Sequence, residues 1–134
     1  MFEHKTTVRV RYSETDKMGY CYYGNYAQFF EIGRVEALRS LGFPYKELED
    51  SGIMLPVVDY SSKFLKPAVY DEKLTIITRI SNLTSYKISF DYEILNEANE
   101  KTTEATTTLV FVDEKTMKPM HHPKEMSEKL NKYI

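Results

Sequence analysis

Two carboxylates, Glu14 and Asp16, stand two residues apart in the segment Ser13–Gly24, just ahead of a stretch with helical periodicity that begins at Asn25. The start of a helix presents backbone N–H groups without intrahelical partners and a partial positive charge. Such donors suit the oxyanion that develops when a carbonyl is attacked. A carboxylate beside them can activate water or attack the carbonyl carbon itself, which is what acyl transfer requires. The same spacing also suits an acid that caps a helix or braces a loop, and spacing alone does not choose between them. Glu14 reads as the solvated or bracing member of the pair. Glu31 reads as a structural acid paired with Arg34 at i+3.

Other chemistry is weakly supported. Cys21 sits in the same segment but has no neighbouring histidine to activate it, so no nucleophilic thiol is expected. A single cysteine also excludes an internal disulfide and a Cys-rich zinc site, and fits a reducing compartment. His4, His121 and His122 lie outside the loop and helix region, and adjacent histidines diverge on a strand, so they read as solvated, with no metal site expected. Eighteen basic against twenty acidic side chains give a net charge of −2, without the basic excess of a nucleic-acid binder. No segment approaches the ~20 apolar residues of a membrane span, and Met1–Lys5 leads into a strand-like pattern with no apolar signal core. The expectation is a cytoplasmic protein with no membrane insertion and no nucleic-acid partner.

The elements that must position the loop follow from periodicity. Thr6–Tyr12 alternates branched and charged residues and predicts a strand; Ser13–Gly24 predicts a loop. Tyr26, Phe29, Phe30, Gly33, Ala37, Leu38 and Leu41 form a helical stripe. Ile32 and Val35 lie off it, predicting a helix buried on several sides. Asn25 with Gln28 three residues later predicts a capping box, and Gly42 a stop. A short helix is expected between Pro44 and Gly52, and a terminal one from Pro123 carrying Met126 and Leu130. Between them, Leu55–Phe64, the alternation of Leu74 to Ile80, that of Ile88 to Ile94, and that of Thr103 to Phe111 predict four strands, with Asn96–Glu100 as a polar turn. No repeat or linker divides residues 1–134, which read as one domain. One long helix against about five strands leaves a modest core, so oligomerisation is expected.

The run Arg11-Tyr12-Ser13-Glu14-Thr15-Asp16-Lys17-Met18-Gly19, followed by Tyr22-Tyr23-Gly24-Asn25-Tyr26 and Phe30-Glu31-Ile32-Gly33-Arg34, resembles the hotdog-fold acyl-CoA thioesterases. The nearest groups are the 4-hydroxybenzoyl-CoA type and the Tol-Pal-associated type. Leu55-Pro56-Val57-Val58, Phe64-Leu65-Lys66-Pro67-Ala68 and Tyr70-Asp71-Glu72-Lys73-Leu74 continue the resemblance in order, from about Thr7 to Val112. The resemblance implies an α+β hotdog fold, an antiparallel sheet of about five strands wrapped round one long central helix. It implies two subunits pairing into a continuous sheet with active sites at their interface, as a homodimer or tetramer.

It further implies that Asp16 is the catalytic carboxylate and that backbone N–H groups at Tyr23 and Gly24 polarise the thioester carbonyl. The substrate implied is an acyl-CoA or acyl carrier protein thioester; coenzyme A belongs to the substrate, and no separate cofactor is needed. Many Tol-Pal-type members carry His where Tyr23 stands. A phenol with an ordinary pKa near ~10 is a poor base at neutral pH, so that position acts through its amide. Ser85 and Lys87, in the turn that aligns with the family's coenzyme A-contacting turn, are candidates for the phosphates. Tyr22 and Tyr26 join Tyr12, Tyr20 and Tyr23 in a cluster that could wall an acyl pocket. A non-catalytic acyl- or pantetheine-binding protein is the alternative. A hydratase or dehydratase stands third, because it would need a histidine in the loop region.

Overall fold

The computed structural model describes residues 1–133. Five strands form one antiparallel sheet in the order β1-β4-β5-β6-β3: β1 (Phe2–Arg9), β3 (Val57–Phe64), β4 (Lys73–Leu83), β5 (Lys87–Leu95) and β6 (Lys101–Val110). A two-stranded ladder joins β2 (Ile53–Met54) to β7 (Val112–Asp113). The helices are α1 (Tyr26–Ser40), α2 (Tyr45–Asp50) and α3 (Lys124–Leu130). Hairpin turns order the centre of the sheet. At Asn96–Glu100 the Asn96 side chain accepts from the backbone N–H groups of Ala98 and Glu100, at 3.0 and 2.9 Å, the self-bonding that makes Asn a turn former.

One face of the sheet is apolar because the period-two alternation holds: Leu74, Ile76 and Ile80 on β4, Ile88, Phe90, Tyr92 and Ile94 on β5, and Ala105 and Leu109 on β6 are all buried. Helix α1 lies on that face through Phe29, Phe30, Gly33, Ala37 and Leu38. The approach is closest at Gly33, where an added Cβ would stand 2.4 Å from Thr78 Oγ1 and 2.9 Å from Ile76 Cγ2.

Three expectations are corrected. Strand β1 begins at Phe2 and ends at Arg9, earlier than Thr6–Tyr12 at both ends. Pairing with Lys73–Ile80 extends its start, whereas beyond Val10 the chain turns into a 3₁₀ turn at Tyr12–Glu14. The expected capping box is absent: Asn25 makes no side-chain cap bond. Helix α1 is buried on one side only, because a single sheet covers a single face. Ala27, Gln28, Glu31 and Ile32 are exposed. The edge strand β3 is likewise open, with Val57, Val58, Tyr60 and Phe64 exposed.

Candidate active site

The carboxylate of Asp16 is held by a tight turn. Asp16 N–H donates to Tyr20 O at 2.9 Å, and Gly19 N–H donates back to Asp16 O at 3.0 Å. Gly19 takes φ +79° there, a conformation that favours glycine. Within the turn, Asp16 Oδ1 accepts from Met18 N–H at 2.9 Å and from Tyr20 N–H at 3.4 Å. Oδ2 has no hydrogen bond from the described residues. Glu14 is a brace and is 4% exposed. Its carboxylate accepts from Arg11 N–H at 2.7 Å and from the Arg11 guanidinium at 3.1 Å.

Next, Tyr23–Asn25 form a 3₁₀ turn that runs straight into α1, with Tyr26 N–H bonded to Tyr23 O. As first residues of a helical turn, Tyr23 and Gly24 carry N–H groups with no intrahelical acceptor. Asp16, Met18, Tyr20, Cys21, Tyr23 and Tyr26 line one side of a cleft of about 350 Å³, and Phe64–Pro67 close the other. Tyr26 stacks on Phe64 at 4.9 Å between centroids, and Tyr23 meets Phe64 edge-on at 6.3 Å. Four of the ten lining residues, Tyr20, Tyr23, Tyr26 and Phe64, are aromatic, and the Asp16 carboxylate lies among them.

Burial governs the two buried acids of the cleft. Cys21 is pushed up to about 11 by burial, with the charges of Glu14 and Asp16 adding to it, so the thiol stays protonated and non-nucleophilic at neutral pH. Tyr26 is pushed up to about 12, chiefly by burial. The raised value for Cys21 gives a testable pH dependence. Its stabilising contribution is fully present below its ordinary value of 9.0 and is lost as pH rises through about 11. Denaturant unfolding between pH 8 and 11 should therefore show a shallower alkaline loss of stability for Cys21→Ser than for the native chain. Equal slopes would contradict that environment for the thiol.

Not every residue singled out above converges on the cleft. Tyr22 lies beside it with its ring against Tyr23 at 4.8 Å, and Tyr12 packs edge-on against Tyr70 at 5.6 Å. Ser85 and Lys87 form the β4–β5 turn, where Lys87 N–H donates to Thr84 Oγ1 at 3.1 Å and His122 N–H donates to Ser85 O at 2.9 Å. Lys87 pairs with Val110 on β6, whereas Phe64 of the cleft pairs with Thr103. Within one chain the turn therefore lies roughly 20–25 Å from the cleft along the strand direction.

Glu31 is exposed and forms no ion pair among the described residues. Its expected partner Arg34 is instead buried beside the hydroxyls of Tyr92 and Tyr45. Burial opposes the guanidinium charge, those hydroxyls outweigh it, and the group is held above its ordinary value. The histidines are not simply solvated either: His122 Nδ1 lies 2.7 Å from Thr84 O, and His4 is half-buried. What the sequence did not assign to the site was Phe64–Pro67, some forty residues from the loop, although that block carries part of the family resemblance.

Residues 10–130 match the model of the thioesterase-like superfamily. YneP of Bacillus subtilis is 36% identical over 92% of this chain and 90% of its own length. The acyl-CoA thioester hydrolase YbgC of Escherichia coli is 33% identical over 89% of each. Among solved structures, a DHNA-CoA thioesterase from Staphylococcus aureus superposes with a TM-score of 0.94 at 35% identity, covering 99% of this chain and 91% of the other. With its antiparallel five-stranded sheet, its single long helix and this match over nearly the whole chain, the protein is a member of the thioesterase-like superfamily with the α+β hotdog architecture.

Proposed function

We propose that this protein is an acyl-CoA thioesterase that hydrolyses a thioester to a carboxylic acid and free coenzyme A. The observation that carries this is that Asp16 and Tyr23, the first residue of the turn that leads into α1, line one cleft, with Gly24 next in that turn. The thioester carbonyl oxygen accepts from the Tyr23 and Gly24 amides as negative charge develops on it. Asp16 either takes a proton from the attacking water or attacks the carbonyl carbon itself. With water as nucleophile, the C–S bond breaks as the water oxygen bonds to the acyl carbon. With Asp16 as nucleophile, the C–S bond breaks as an acyl anhydride forms on Asp16, and water then cleaves that anhydride to the acid and the free carboxylate. In both routes the thiolate leaves and is protonated to the thiol. The reaction requires no metal or redox group, and the sole cysteine, a free thiol, is consistent with action in a reducing cytoplasm. An acyl carrier protein thioester presents the same pantetheine thioester to the cleft.

The site is completed by a second copy. The open β3 edge pairs antiparallel with β3 of that copy, so the Val57 end of one strand lies beside the Phe64 end of the other. The copy's β4–β5 turn, with Ser85 and Lys87, then comes to the end of the sheet that holds the Asp16 cleft. This resolves the separation of the two groups within one chain and leaves the turn's donors for coenzyme A phosphates.

The test is thiol release from short-chain, long-chain and aromatic acyl-CoAs, with sedimentation of the same samples. Turnover of at least one substrate by a dimer or tetramer is expected. Tyr60→Asp, which sets like charges near the strand two-fold, should shift the protein toward monomer and lower kcat/KM by about tenfold or more. Ligand-induced stabilisation without thiol release from any substrate would instead mark a binding protein. A fully active monomer would remove the composite site.

A further inference from the structure

Asn25 occupies the N-cap position of α1, where asparagine is among the strongest caps, yet its side chain does not cap. Its φ and ψ are −85° and −14°, helical values rather than the extended ones a cap adopts. The side chain is engaged elsewhere: Asn25 Nδ2–H donates to the backbone carbonyl of Glu14 at 2.8 Å. That carbonyl also accepts from Tyr22 N–H at 2.8 Å, so both of its lone pairs are used. Glu14 is itself pinned by its buried carboxylate on Arg11.

We infer that Asn25 is a positioning residue for catalysis, a clamp that holds the Asp16 loop and the Tyr23–Gly24 amides in mutual register. This rests on the thioesterase reading above and deepens it. One hydrogen bond does two things. It ties the helix start to a residue two positions before Asp16. It also keeps Asn25 helical, so that Tyr23 and Gly24 remain the leading donors of the turn. If the side chain capped α1 instead, Asn25 would become extended, the helix would restart after it, and Tyr23 and Gly24 would swing out of the turn. Stability and activity are therefore set against each other at this residue: the conformation that caps best is not the one that presents the amides.

Asn25→Asp separates the two roles. A carboxylate cannot donate to Glu14 O, but it caps a helix well. The melting temperature should stay level or rise, kcat should fall on the order of tenfold to a hundredfold, less than the roughly 10²–10³-fold cost of removing an oxyanion donor outright, and KM should stay within about twofold, since Asn25 is not among the residues that line the cleft. Asn25→Ser, which can cap but cannot span to Glu14 O, should behave alike. Asn25→Gln, which keeps an amide donor, should recover part of kcat. Native kcat in both Asn25→Asp and Asn25→Ser would overturn the clamp, as would a kcat loss that merely tracks lost folded protein. Native protein and Asp16→Asn measured alongside separate the failures. If the native protein releases no thiol, the thioesterase reading fails; if Asp16→Asn is fully active, the Asp16 assignment and the clamp built on it fail; and if Asp16→Asn is inactive while the Asn25 variants keep native kcat, only the clamp does.

Discussion

Asp16→Asn is expected to lower kcat by at least about a hundredfold on whichever acyl-CoA the native enzyme turns over best, with KM changed by no more than a few-fold. Asparagine is nearly isosteric and keeps an Oδ1 acceptor for Met18 and Tyr20, so the turn retains its shape. What is lost is the negative charge and proton affinity of the free Oδ2. A positioned base contributes typically 10²–10⁴-fold, and a hundredfold corresponds to about 2.7 kcal/mol of barrier. Thiol release over a substrate series measures the rate, and a thermal melt within a degree or two of the native protein shows that folding is intact. Unchanged hydrolysis would end the assignment of Asp16.

The largest expected effect on stability belongs to a residue without a side chain. At Gly33, α1 comes so close to β4 that a methyl group would sit 2.4 Å from Thr78 Oγ1 and 2.9 Å from Ile76 Cγ2. Both neighbours are fully buried, with little room to retreat. Overpacking a close-packed interior costs typically 1–3 kcal/mol, and here the contact is deeper than any relaxed pair, while alanine returns up to about 1 kcal/mol of helix propensity. Gly33→Ala should therefore destabilise the fold by about 2 kcal/mol, lowering the melting temperature by roughly 6–10 °C. Gly33→Val should do more. Removing the nearer obstacle with Thr78→Ala in the same chain should recover part of the loss, a coupling that a double-mutant cycle reads directly. A Gly33→Ala protein as stable as the native one would show that the helix can lift from the sheet at little cost.

Much of the framework was readable from periodicity. Phe29, Phe30, Gly33, Ala37 and Leu38 announce the buried stripe of α1, and Ile88 to Ile94 alternate without a break, because a single buried face imposes its period on the chain. Where two determinants compete locally, sequence reading went astray. Val10–Tyr12 continues the strand-like alternation but leaves the sheet, since Glu14 folds back on Arg11. Asn25 has the type and spacing of a cap, but a carbonyl eleven residues upstream takes its amide. Arg34 has an acid at i−3 and instead lies buried beside Tyr92 and Tyr45, because its side of the helix faces the sheet.

By itself the sequence determined the elements, the family and the candidate carboxylate, for these rest on residue types at short spacings. The tertiary structure decided what each of those residues touches. It set Phe64–Pro67 opposite Asp16, made Glu14 a buried brace, and left Ser85 and Lys87 at the far end of the sheet. The physical reason is that strand pairing joins residues by register across the sheet, and register is a property of the folded whole.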